Sequence, residues 1–136
     1  MTVKGWKKHS SRIKAMANVS AREIAQKLYL AGQEIELEAE HSITAGSISG
    51  AGHIPSLPGE PPNRDTGLLD GSIDTEIVAQ NPPTAVVASR APYAAHLEFG
   101  TSKMAARPYM RPATEKKRKR VAQLVGEAVS IAIKRG

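Results

Sequence analysis

The sequence predicts an α+β domain, with a long N-terminal helix and a C-terminal helix packed on a small antiparallel sheet. Apolar residues recur at helical spacing over 20–44 and again over 112–134. Two short runs rich in Val and Ile lie between them and flank an Asn-Pro-Pro turn, and a Gly- and Pro-rich stretch separates them from the first helix. The 136 residues fit one domain, 1–136, with a basic N-terminal segment at 1–19 and a flexible loop at 46–66.

The first helix opens on Ser20-Ala-Arg-Glu23, which has the form of a capping box. Ile24, Leu28, Ala31 and Ile35 follow at spacings of four, three and four, and the stripe continues through Ala39 and Ile43. The opposite face carries Glu34, Glu36, Glu38 and Glu40. Before it, 6–16 suits a short basic helix that Asn18 helps to end. Over 46–63, eight of eighteen residues are Gly or Pro, which excludes helix and a central strand. Loops of this length are functional or disordered as a rule, and Ile48, Ile54 and Leu57 suggest that something apolar is touched when it orders.

Residues 68–78 read as a strand, with Leu69, Ile73 and Ile77 at even spacings, and Gly71 weakens it or marks a bulge. Asn81-Pro82-Pro83 is a turn, and 84–89 returns as the second strand of a hairpin. In 93–99, Pro92 is placed to open a helical turn and Gly100 to close it. Arg111-Pro112 starts the last helix, since proline is favoured in the first turn. Val121, Leu124, Val125, Ala128, Val129 and Ala132 form its buried stripe.

Composition narrows the function classes. Hydrophobic residues at 40% and charged residues at 24% describe a globular chain. Aromatics are only 4%, so the core must be mostly small aliphatic side chains, with stability drawn partly from neighbours. With no cysteine there is no disulfide, thiolate metal site or cysteine nucleophile. No apolar run reaches the ~20 residues of a membrane span, and the basic start is not followed by the apolar stretch of a secretory signal. The expectation is a non-secreted, cytoplasmic chain with no membrane partner.

The net charge of +6 divides into +5 over 1–19, −7 over 20–100 and +8 over 101–136. Segregation of this kind suits a protein that meets copies of itself, one patch facing its opposite. The strongest electrostatic feature is Lys116-Lys117-Arg118-Lys119-Arg120, in the first turns of a helix whose dipole already presents positive charge there. It invites an anionic counterpart: a phosphate backbone, or the Glu34–Glu40 face of another subunit.

Catalytic and cofactor signatures are missing. His9, His41, His53 and His96 lack metal-ligand spacing. Neither a nucleophile elbow nor a phosphate-binding glycine fingerprint occurs. We therefore expect no enzyme activity, no cofactor and no metal. A nuclease would need clustered acids such as Asp65 and Asp70, whereas the acids of the middle segment fall on what reads as an exposed helix face.

Two segments mix an acid, arginines, aromatics and turn-setting residues: Tyr93-Ala-Ala-His-Leu-Glu98-Phe99-Gly100-Thr101 and Arg107-Pro108-Tyr109-Met-Arg111-Pro112-Ala113. Pro108 and Pro112 bias the arginines before them toward extended backbone, which aims their side chains. Glu98 stands where it could pair with Arg107 across the turn. With Asp65-Thr66-Gly67-Leu68-Leu-Asp-Gly-Ser72-Ile73, these segments resemble a family of minor structural proteins of long-tailed phages and prophages: the neck, tail-completion or head–tail joining components. The chain matches that family's "TG-x-L-x-x-SI", "YA-x-x-x-E-x-GT" and "RPF-x-RPA" signatures, in order, within about 20–134. It departs from them at Tyr109, where Phe is common, and at His96, a place often aromatic; its basic run is also heavier.

The resemblance implies an α+β fold, no catalysis, and a homo-oligomeric ring, a hexamer or dodecamer, joining head to tail in the virion after synthesis in the host cytoplasm. Its implied partners are itself, other neck and tail proteins and non-specific DNA in the channel. The motif positions Thr66, Gly67, Leu68, Ser72, Tyr93, Glu98, Phe99, Gly100, Thr101, Arg107, Pro108, Tyr109, Arg111 and Pro112 carry over as determinants of interface or fold. Lys116 to Arg120 are candidate contacts to DNA or an acidic partner, on the charge argument alone. The alternative is a small basic protein that binds nucleic acid non-specifically, suggested by a pI near 9.8.

Overall fold

A computed structural model describes residues 6–45, 50–80 and 82–135. The fold is α+β: helix α1 (Trp6–Thr44), strands β1 (Ile73–Gln80) and β2 (Pro83–Ser89), the short helix α2 (Ala94–Phe99) and helix α3 (Met110–Arg135). The strands form a two-stranded antiparallel sheet, and α1 lies across both of them and along α3.

Helix α1 is longer than the sequence suggests. It runs unbroken through Asn18 and Ser20, so the capping box does not start it and there is no separate helix over 6–16. Asn and Ser in a helix interior cost only a few tenths of a kcal/mol each, and no proline interrupts the 39 residues. Of the basic N-terminal segment, Lys4 and the side chains of Lys7, Lys8 and Lys14 lie outside the described residues.

The expected apolar stripe is the face that packs. Ala31, Ala39 and Ile43 are buried, and Ile24, Leu28 and Ile35 are half-buried. The acids do not form one exposed face. They flank the stripe: Glu34 and Glu38 point toward α3, Glu36 accepts a hydrogen bond from the Thr75 hydroxyl of β1 at 2.6 Å, and the exposed side is led by Leu37 at 63%. Glutamates at i and i+4 share one side of a helix, so an apolar stripe between two such pairs lets α1 wedge between two other elements.

The hairpin begins later than 68. Residues Asp70–Ser72 form a 3-10 turn, held by the Ser72 hydroxyl donating to the Leu69 carbonyl at 2.6 Å, and the ladder starts at Ile73 opposite Ser89. Leu69 reaches the core from this turn rather than from a strand. The irregularity in β1 falls at Val78, not at Gly71. At the turn between strands, Asn81 lies outside the described residues. Ile73, Thr75 and Ile77 of β1 and Val87 of β2 face inward, while Glu76, Val78 and Val86 are exposed, the alternation of a sheet covered on one side.

Of the Gly/Pro-rich loop, 46–49 lie outside the described residues. Beyond a 3-10 turn at Gly50–Gly52, residues 53–69 form neither helix nor strand. Three bonds tie this stretch down: Arg64 N–H to the Ile43 carbonyl at 3.0 Å, Gly59 N–H to that of Ala106 at 2.9 Å, and Asn63 Nδ2 to that of Ile54 at 2.7 Å.

Helix α3 starts two residues before Pro112. Leu124 and Ala128 of its stripe are buried, Val129 is exposed, and the Ala132 side chain lies outside the described residues. The main core joins Ala39, Ile43, Leu69, Ile73, Ala91, Ala94, Tyr109 and Ala113, with Tyr109 and Ile43 its largest fully buried members. Small side chains let the elements approach closely. The limit is reached at Gly32, buried in mid-α1, where an added Cβ would overlap the Thr75 methyl and stand 3.2 Å from Val87.

Gly32→Ala should therefore destabilise the fold by about 1–2 kcal/mol, despite the gain of up to ~1 kcal/mol in helix propensity. Thr75→Ser keeps the hydroxyl that bonds Glu36 and removes the methyl, so the double variant should recover most of the loss. Urea denaturation of the single and double variants measures both.

Candidate functional site

The three motif segments meet at one end of the molecule, and a single carboxylate joins two of them. Glu98, on α2, accepts hydrogen bonds from the backbone N–H groups of Tyr109, Met110 and Arg111 at 2.9, 3.0 and 2.9 Å. These are donors that the start of α3 leaves without intrahelical partners. Pro112, next in line, has no N–H to satisfy. A carboxylate is also favoured there by the helix dipole. The expected pairing of Glu98 with Arg107 is thus replaced by a helix cap.

Geometry around Gly100 allows this reach. With φ at +74°, Gly100 ends α2, and a Cβ there would lie 2.8 Å from the Ala106 backbone nitrogen and 2.9 Å from the Met104 carbonyl. Thr101 and Met104 close the following turn, the Thr101 N–H donating to the Met104 carbonyl at 2.8 Å. The chain then returns, and the Arg107 N–H donates to the Leu97 carbonyl at 2.6 Å. Half-buried Pro108 leads into Tyr109, only 1% exposed, whose hydroxyl hydrogen-bonds Ser89 and whose burial raises its pKa above the usual phenol value. Ser89 shares a second hydrogen bond with Ser72 at 2.8 Å, so the first motif is tied to the third through β2.

Beside this junction lies an open cleft of about 470 Å³, lined by Arg64, Thr66, Gly67, Leu68, Tyr93 and Arg107 among others. Every one of the three motifs therefore contributes to its wall. Arg64 pairs with Asp70 at 3.1 Å, and Arg107 donates to the Ser56 hydroxyl at 3.4 Å. Two buried polar atoms on these walls have no hydrogen-bond partner, Asp70 Oδ1 and Arg107 Nε. Arg64 is a cleft residue that spacing alone did not single out, and Asp70, considered only as a nuclease acid, is its partner; the signal for the pair is opposite charge six positions apart across a Gly-containing turn. Thr66 Oγ1 accepts the Leu68 N–H at 3.4 Å, a local turn contact. Phe99 stands outside the cleft, 81% exposed.

The basic run has its counterpart within the chain. Lys116 Nζ lies 2.6 Å from Glu38, Lys117 Nζ 3.5 Å from Glu34, and Arg120 Nε 3.7 Å from Glu34. Lys27 of α1 lies 3.4 Å from Glu127 of α3, completing an antiparallel ladder. Glu34 and Glu38 are thus engaged by the chain's own α3, while Glu36 bonds Thr75 of β1. Exposed pairs of this kind contribute ~0.2–1 kcal/mol each, enough to offset the dipole penalty on the cations. Among the described residues Arg118 and Lys119 make no ion pair, and Arg111 pairs only with Glu115 one turn on, at 3.7 Å.

Among the described residues, no three of His, Asp and Glu come together as a metal site, and no helix is long and apolar enough to cross a membrane. Compared with known proteins, the chain matches no family model, no curated protein and no solved structure.

Glu98→Ala should lower stability by about 2–3 kcal/mol, the loss of a charge-assisted cap that leaves several amides unpaired, and Glu98→Gln by roughly half of that. A loss within the ~0.5 kcal/mol of an ordinary surface change would contradict the cap. Glu40, close to the cleft's Asp70, has a pKa raised above 4.5 by burial, then by Glu36 and Asp70. It binds its proton more tightly folded than unfolded, so its stabilising contribution is complete below the unfolded value and is lost as pH rises through the folded one. Glu40→Gln should accordingly raise the Tm at pH 7, with the difference closing toward pH 4.

Proposed function

We propose that this protein is a structural subunit of a tailed-phage virion, a ring-forming neck or tail-completion component that helps join head to tail. The motif resemblance supplies the class. The observation that carries the assembly reading is the convergence of all three motif segments on one end of the molecule, where they share the wall of an open cleft of about 470 Å³.

The exposed apolar side chains support the same reading. Ile54, Leu57, Leu68, Tyr93 and Phe99 all belong to the cleft end of the molecule or the loop beside it, and Tyr29 and Leu30 lie on α1 far from it. Two unlike patches suit a heterologous interface, which closes into a ring when the rotation between copies allows. The alternative, a small basic nucleic-acid-binding protein, loses three of the five cations in its main patch to the α1 carboxylates.

Negative-stain electron microscopy and mass photometry of the purified protein should give a single closed ring, a hexamer or dodecamer. Labelling of particles should fall at the neck. A chain that stays monomeric at every concentration and is missing from virions would overturn the proposal.

A further inference from the structure

We infer that copies of this chain join through the hairpin, the free edge of β2 in one copy pairing antiparallel with that of β1 in the next. This rests on the ring reading above and names the contact that forms the ring. The sheet has two strands, so among the described residues each strand has one side without a neighbour. A lone hairpin is marginal in water, and here α1 covers one face while nothing pairs with the edges. Among the described residues, no backbone group of 73–80 or 83–89 hydrogen-bonds outside the hairpin.

Which groups point outward follows from the register. The Arg90 N–H donates to the Ser72 carbonyl at 3.0 Å, one step before Ile73 meets Ser89. Directly opposed residues of an antiparallel ladder alternate between bonded and non-bonded pairs. The bonded pairs are therefore Asp74 with Ala88 and Glu76 with Val86. The outward groups belong to Ile73, Thr75 and Ile77 on β1 and to Ala85, Val87 and Ser89 on β2. These two rows match in number and spacing. Val87 of one copy set opposite Thr75 of the next repeats the register found within the hairpin. All three outward pairs then meet, each exchanging two hydrogen bonds.

The chemistry of the edges selects a second copy. Edges that stay single are blunted by charge, proline or a bulge. Strand β2 carries no charge, and its one proline stands first, clear of the pairing span; the irregularity of β1 at Val78 lies beyond that span too. Strand β1 does carry Asp74 and Glu76, and the counter-charge stands just past β2. Arg90, its side chain 65% exposed, reaches Asp74 at 3.1 Å and Glu76 at 3.5 Å across the hairpin. Repeating the register sets the same arginine beside Asp74 of the following copy, so charge as well as hydrogen bonding matches β2 to β1. Pairing β1 with β1 about Thr75 would oppose Asp74 to Glu76, which is destabilising. Pairing β2 with β2 closes a two-fold pair, whereas unlike edges give a head-to-tail contact that extends round a ring. Two strands per copy space neighbours about 10 Å apart along the sheet, and curvature with the helices outside widens that for α1 and α3.

Ala85→Pro removes one outward N–H and leaves the ladder within the hairpin intact. The full-length variant should keep the wild-type circular dichroism while its self-association weakens at least about tenfold. The absence of cysteine allows a second test that does not need a proline in the strand. Glu76 and Val86 are both exposed, and the repeated register sets them opposite one another between copies. Glu76→Cys chains mixed with Val86→Cys chains and oxidised should give disulfide-linked dimers, since opposed strand residues lie within disulfide range. Either variant alone should give few. Rings that form without a disulfide specific to the mixture, or a folded Ala85→Pro chain that associates like wild type, would overturn this contact and leave the ring reading standing. A wild-type chain that never associates would overturn both.

Discussion

The Glu98 carboxylate holds three backbone N–H groups at the start of α3, and the arrangement of the cleft end depends on it. A six-residue helix is too short to be stable alone. Tied to the first turn of a 26-residue helix by three charge-assisted hydrogen bonds, it becomes part of a fixed corner. That corner brings Tyr109 into the core, aims Arg107 at Ser56 and leaves Phe99 outside. The motif residues thus divide by task. Glu98, Gly100, Pro112 and Tyr109 build the corner, while Leu68, Tyr93 and Phe99 are what it presents to the outside.

Charge works differently from its linear pattern. An acidic middle and basic ends look like surfaces meant for other molecules, yet α1 and α3 run antiparallel, and the fold cancels much of the segregation internally through Glu34, Glu38, Lys116, Lys117 and Arg120. The described residues also leave large apolar side chains exposed, Phe99, Leu57 and Leu68 among them. Association driven by such patches is less sensitive to salt than association by opposed charges. The basic run then has a folding role, docking the start of α3 on α1, which in turn steadies the site of the Glu98 cap.

Much of this architecture was legible in the residues. The stripe from Ile24 to Ile43 reports the buried face of α1 because a 3.6-residue period leaves one solution. Gly100 marked the end of α2 because the turn there has no room for a Cβ. The strand at 84–89 was readable for a similar reason, a β-branched run just after two prolines. Other features depended on partners distant in sequence. Asn18 and Ser20 look like punctuation, but their local preferences are weak beside the cooperativity of a helix already formed. Asp70–Ser72 became a turn because Leu69 is needed in the core and Ser72 bonds back to it.

Two electrostatic features share one cause. Glu98 pairs with amides rather than Arg107, and Lys116 reaches Glu38 of its own chain. Sequence shows how many charges exist and how far apart they lie along the chain, but the corner at Gly100 and the antiparallel docking of α3 decide which of them meet. Backbone donors, which every residue carries, are invisible to a search among side chains.

Amide hydrogen exchange at Tyr109, Met110 and Arg111 reads the Glu98 cap itself. First-turn amides of a helix exchange quickly when water is their only partner, whereas amides held by a half-buried carboxylate exchange only when the structure opens. Protection at all three should match that of the buried turns of α3 around Leu124 and Ala128. Exchange at the rate of unstructured chain would mean that the carboxylate does not hold the corner, and the arrangement derived from it would fall.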